Sequence, residues 1–279
     1  MAKYFFLDPR NIFVALDSID QQAPSYTLNR HDTLRRIFWT LACVCVCLLM
    51  IHYLKYNTSF KAALVMLANW QGKQQHHYLL ALQRSDYAQL LSYVWWTFWH
   101  VIGYVVIPFF VIRYKFKTSF ASMGWQFNDT HKHCLGYVLL LSPILFFIFL
   151  VSFREDFLQH YPFYKQAGRS WFDFLVWEAL YLTQFVCLEF FFRGFIINAL
   201  RPAIGANAVW VMCVPYLMIH FPKLWLEASG AILFGLFLGI LALRSRSIWG
   251  GFFVHAGVAL GMDITSLIRQ GSIPTQFFN

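Results

Sequence analysis

The sequence predicts an all-α fold, a polytopic membrane helix bundle of about seven transmembrane helices. Three observations predict it. Of 279 residues, 59% are hydrophobic and 13% charged, about half the charge share of a soluble domain. Seven apolar stretches reach or approach the roughly 20 residues that a helix needs to cross a bilayer. The few ionisable residues inside those stretches gather in the second half of the chain.

Residues 1–35 form a polar N-terminal segment with acids, bases and a proline, suited to an interfacial turn or short helix. No basic stretch followed by an apolar core is present in it, so no cleavable signal peptide is expected and the first span targets the chain. The spans read as 36–54, 88–112, 135–153, 171–200, 207–220, 229–243 and 247–267. The fifth and sixth are short. Residues 61–70 are amphipathic and are expected along the interface rather than across the membrane. Residues 71–87 form the longest polar connection. Pro202 and Gly205 make a natural stop after the long fourth helix. Pro215 leaves the Val211 carbonyl without its usual donor and should bend the fifth. Gly235-x-x-x-Gly239 and Gly257-x-x-x-Gly261 place small residues one turn apart, which lets helix backbones approach closely.

The 22 Lys and Arg against 13 Asp and Glu leave a net charge of +9, which fits contact with anionic lipid headgroups. The lipid bilayer is therefore the expected partner, and no basic cluster argues for nucleic acid. The N-terminal tail and the loops on its side hold a modest majority of the basic residues, which places the N-terminus in the cytoplasm. The six cysteines lie in or beside spans and read as small apolar filler, with no disulfide framework. No feature of the sequence sets an oligomeric state.

Within 171–200 lies Glu189-Phe-Phe-Phe-Arg193-Gly194. A charge near the bilayer centre costs at least about 2.5–3.5 kcal/mol, so an acid and a base there need a reason. Four residues apart on a helix, they share a face and can pair. His220 and His255 follow in later apolar segments. With Arg201, Asn207 and Ser247 marking the cytoplasmic boundary, Glu189, His220 and His255 lie about 18, 20 and 12 Å deep at 1.5 Å per residue. All three fall within about 8 Å of depth in a core about 30 Å thick, as one site would require.

The residue types point to hydrolysis by an activated water. A carboxylate withheld from bulk water is a stronger base and can take a proton from that water. An arginine one turn on fixes the carboxylate, and imidazoles hold the water or stabilise an oxyanion. Two histidines and a glutamate could instead hold Zn²⁺, but the chain has no His-Glu-x-x-His pair, so a metal-free site without cofactor is expected. Plainer readings stand beside these. Glu189 and Arg193 could be an ion pair that fixes helix packing, His220 could cap carbonyls before Phe221-Pro222, and His255 could donate to a neighbouring backbone. Asp263 lies roughly on the face of His255, Glu227 could mark the water boundary, and Glu178 lies three turns before Glu189. His52 and His100 read as local hydrogen bonders; His76, His77, His131 and His133 read as solvated.

Glu189-x-x-x-Arg193-Gly194, Tyr216-x-x-x-His220 and His255 together resemble the three motifs of the CAAX protease and bacteriocin-processing family of intramembrane endopeptidases, which include the type II CAAX prenyl endopeptidases. The family pattern is Glu-Glu-x-x-x-Arg, then Phe-x-x-x-His, then His-x-x-x-Asn. Here Leu188 replaces the first glutamate, Tyr216 the phenylalanine and Ala259 the asparagine. Some bacterial members carry a lone glutamate and also match Lys223, Glu227 and Asp263. The resemblance implies a transmembrane domain over 36–279 with its catalytic half at 171–267. It implies that Glu189 activates water, Arg193 positions it, and His220 and His255 hold water and oxyanion, with Tyr216, Lys223, Glu227 and Asp263 in support. The implied substrate is a membrane-associated peptide or protein: a prenylated C-terminus, a bacteriocin precursor or an anchored peptide. The chain shows no eukaryotic retention signal, so a bacterial inner membrane is expected. Leu188 and Ala259 keep open a non-catalytic scaffold or immunity protein of the same fold. A proton-relaying transporter would carry inverted-repeat symmetry, which the sequence lacks.

Overall fold

The computed structural model describes residues 9–22, 28–223 and 225–278, with the side chains of 9, 10 and 225–227 excluded. Its helices are α1 (Pro9–Gln21), α2 (Arg30–Leu54), α3 (Asn57–Trp70), α4 (His77–Gln83), α5 (Ala88–Phe116), α6 (Cys134–Val151), α7 (Glu155–His160), α8 (residues 171–204), α9 (Ala208–Met218), α10 (Trp225–Ser245) and α11 (Trp249–Gln270). No strand occurs among the described residues.

Six helical runs among those residues are long and apolar enough to cross a membrane. The fourth, Trp171–Met218, has 48 residues, about 72 Å if straight and more than twice a bilayer core. Gly205 divides it. Its φ of +63° and ψ of −151° belong to a region that only glycine enters without strain. A side chain there would also strike Asp20, which stands 2.4 Å from the Cβ position and accepts from the Ala206 N–H. The run is thus α8 and a separate α9 of 11 residues, about 16 Å and too short to cross the core by itself, so six candidate spans stand where about seven were expected. The 14 residues of α3 contain the stretch expected at the interface; Met66 and Trp70 are exposed and Ala68 is buried.

Local chemistry sets the helix starts. Oδ1 of Asn29 accepts the Asp32 N–H at 2.8 Å, and its amide donates to the Asp32 carboxylate at 2.9 Å, a reciprocal cap for α2. Ser170 and Asp173 make the same exchange at the start of α8, and Arg169 clamps Asp173 through two hydrogen bonds.

The chain forms two compact units. One takes in the described residues up to Val46 with Val106–Tyr137 and Leu188–Phe252. Here Gly239 lets α10 close on Val209 and Met212 of α9, and Gly235 lets it close on Cys213 and Tyr216. The other takes in Cys47–Val105, Val138–Cys187 and the residues from Phe253 on. Its core is aromatic: Trp177, Tyr181, Phe174 and Tyr164 pack with Leu90, Ala259 and Leu267. Gly257 and Gly261 of α11 abut Leu141 and Leu145 of α6. Both glycine pairs therefore sit at close helix contacts.

Candidate active site

The first unit brings four of the expected residues together, and α8 positions two of them. Between Trp171–Glu189 and Ile197–Ile204 the helix widens into a π-helical turn, Phe190–Ile196, with all seven residues buried. Such turns bond i to i+5 and concentrate at functional sites. Neighbours hold this one in shape. Phe190 stacks on Phe120 with ring centroids 4.3 Å apart, and Asn198 donates to the Gly194 carbonyl at 2.8 Å. Gly194 lies so near Met123 that a Cβ would stand 2.6 Å from its carbonyl oxygen.

Glu189 and Arg193 pair as their spacing predicts, with Nη1 2.9 Å from Oε1 and both side chains sealed from solvent. Two features near this pair were not legible in the sequence. The Glu189 carboxylate presses on the backbone of Gly251, in the first turn of α11. The N-terminal end of a helix favours negative charge. Beside it, the Tyr137 ring fills the space that a side chain on Gly250 would need, and its hydroxyl lies 3.1 Å from Ser245 Oγ. The doublet Gly250-Gly251 was the available signal.

From Arg193 the network continues to α9. The guanidinium carbon lies 4.0 Å from the centroid of the Tyr216 ring, a cation–π contact. The buried Tyr216 ring is held on its other sides by Phe192 and by the close approach of Gly235. Its backbone carbonyl lies 2.8 Å from Nδ1 of His220. A carbonyl only accepts, so Nδ1 carries the hydrogen and the neutral ring has its lone pair on Nε2. His220 is half-buried where α9 ends, and the Lys223 N–H donates to its carbonyl at 2.9 Å. Glu227 lies in α10, but its side chain is outside the described residues.

His255 and Asp263 belong to the second unit. The His255 ring stacks on Phe185, 5.2 Å between centroids and 14° between planes. Asp263 is fully buried and accepts from Nε1 of Trp177 at 2.7 Å. Leu188 and Ala259, at the positions where the resemblance departs from its pattern, are both buried. Ala259 sits in the aromatic core. Among the remaining histidines, His100 bonds the Trp96 carbonyl and His52 is exposed against Tyr53. His76, His77 and His131 are exposed; His133 is half-buried. Among the described residues no three His, Cys, Asp or Glu side chains gather as a metal-binding group.

Residues 169–261 match the family model of type II CAAX prenyl endopeptidase Rce1-like proteins. This segment is about a third of the chain and holds all three motifs. The match supports a CAAX-type intramembrane protease family, the one that the motifs resemble, and the apolar helices support a multi-pass integral membrane protein. No curated protein and no solved structure matches the chain.

Proposed function

We propose that this protein is a glutamate-type intramembrane endopeptidase that hydrolyses a peptide bond in a membrane-associated substrate. The observation that carries the reading is the continuous string Glu189–Arg193–Tyr216–His220. It links an anionic carboxylate to a guanidinium at 2.9 Å, the guanidinium to an aromatic face at 4.0 Å, and that residue's carbonyl to an imidazole at 2.8 Å. Glu189 is the general base and takes a proton from the attacking water. Arg193 holds the carboxylate in place. His220 accepts a hydrogen bond at Nε2, and the motif resemblance gives His255 the role of second imidazole. Water adds to the carbonyl carbon, the proton held by Glu189 passes to the leaving nitrogen, and the C–N bond breaks. The reaction balances without a metal. The cytoplasmic N-terminus expected from the charge distribution belongs to this reading, as does a bacterial inner membrane.

The test compares wild type with Glu189→Gln, His220→Ala and His255→Ala, each purified and supplied with a membrane-anchored peptide reporter. Loss of general-base chemistry lowers the rate by about 10²–10⁴-fold. All three variants should accumulate in the membrane and fail to cleave. A Glu189→Gln variant as active as wild type would remove the mechanism. Activity abolished by a chelator and restored by Zn²⁺ would replace it with a metal mechanism. The buried Leu188, in place of the family's first glutamate, favours a second reading, a scaffold that kept the fold without the chemistry. Wild-type protein inert towards every reporter, with its cellular phenotype retained by Glu189→Gln, would establish that one.

A further inference from the structure

Glu178 and Asp263 make a second acidic centre that the hydrolysis does not use. Glu178 lies on α8 and Asp263 on α11, both within the second unit, and they keep 4% and 0% of their exposure. Their carboxyl groups act on each other at short range. The Trp177 N–H serves Oδ2 of Asp263. Oδ1 of Asp263 and both oxygens of Glu178 have no donor among the described residues.

The other polar groups facing this pair are committed elsewhere. Tyr93, on α5, donates its hydroxyl to the Phe163 carbonyl at 2.9 Å. Lys165, on the segment before α8, donates to the carbonyls of Gln159 and His160 at 2.7 and 2.9 Å, and its charge acts on Asp263 from a distance. In the same aromatic core Tyr164 donates to Asp173, which Arg169 already neutralises. Two carboxylates in contact and out of water do not both ionise. A carboxyl with no donor that touches a second carboxyl is satisfied when it carries the hydrogen itself.

We infer that Glu178 and Asp263 bind one shared proton, with Glu178 the protonated partner donating to an Asp263 carboxylate that Trp177 stabilises. The asymmetry follows from Trp177, which serves Asp263 and leaves Glu178 without a donor of its own. The proton is then a tie between α8 and α11. Without it two like charges face each other in the interior.

Infrared difference spectroscopy on the full-length protein in lipid nanodiscs tests this directly. Wild type at neutral pH should show the carbonyl stretch of a protonated carboxyl, and Glu178→Gln should lose it. The exposed Glu155→Gln should keep it. Thermal unfolding gives an independent readout. At neutral pH Glu178→Gln, whose amide can donate to Asp263, should keep the wild-type midpoint, and Glu178→Ala, which leaves Asp263 without that donor, should lower it. A protonated band absent from wild type, or unchanged in Glu178→Gln, overturns the inference. A band that appears only after metal ions are removed assigns the pair to a cation and overturns it equally.

Discussion

The carboxylate of Glu189 rests on the backbone of Gly251, so closely that a Cβ built there stands 2.0 Å from Oε2 and 2.7 Å from Cδ. An alanine must push the acid aside or tilt the start of α11. A displacement of about 1 Å in a reacting group can cost about 10²-fold in rate. Gly251→Ala should therefore lower cleavage by about two orders of magnitude while the protein still accumulates in the membrane. Gly230→Ala, whose added methyl meets nothing within 4 Å, should cleave like wild type. Full activity in Gly251→Ala would show that the contact does not hold the base.

The Glu189–Arg193 pair is sealed from solvent on both sides, so removing one partner leaves a charge with no water to receive it. Breaking a buried pair this way costs about 3–5 kcal/mol. Arg193→Met should unfold at markedly lower denaturant than wild type. The double variant Glu189→Gln/Arg193→Met should recover most of that loss and remain inactive. Additive losses in the double variant would mean that the two side chains do not interact.

Tyr216 presents its ring, 4.0 Å from its centroid, to the Arg193 guanidinium. A desolvated cation–π contact is worth about 2 kcal/mol. Tyr216→Phe keeps the ring, matches the motif that the chain resembles, and should stay within a few-fold of wild-type cleavage. Tyr216→Leu should lose both stability and cleavage. Equal behaviour of Phe and Leu variants would assign the role to the hydroxyl or to bulk alone.

Asp129 closes the connection before α6 onto the turn before α11, 2.8 Å from Lys132 and 2.7 Å from Arg246. Hydrogen bonds from those two cations hold its carboxyl down at about 2, against an ordinary 3.8. A depressed carboxyl stabilises the fold above its unfolded value, and the benefit disappears as pH falls through the folded one. The wild-type advantage over Asp129→Asn in unfolding temperature should thus be full at pH 6 and gone near pH 2. A gap that does not change across that range would show that Asp129 acts without its charge.

The membrane helices were legible because the bilayer imposes a length and a composition on every spanning segment. Residues 88–112 and 171–200 were read from apolar runs, and the helices there are Ala88–Phe116 and 171–204. Pro202 and Gly205 announced the turn that the left-handed glycine makes. The Glu189–Arg193 pairing followed from spacing alone. The π-helical turn between Phe190 and Ile196 did not, because a run of buried phenylalanines reads alike at any pitch. Gly251 carried only its place in the doublet Gly250-Gly251; a glycine's role depends on what approaches it, and here that is a side chain 62 positions earlier. The contact of Glu178 with Asp263 joins residues on two helices whose rotation no local pattern states.

The sequence by itself determined that this chain crosses a bilayer several times and that an acid and a base share one turn of its fourth span. Hydrophobic length and helical period are local quantities, readable within some twenty neighbouring residues. Only the tertiary structure decided that Gly251 lies under the acid, that Tyr216 faces the base and that Glu178 meets Asp263. Those relations depend on how separate helices rotate and pack, and packing is settled by side chains far apart in the chain.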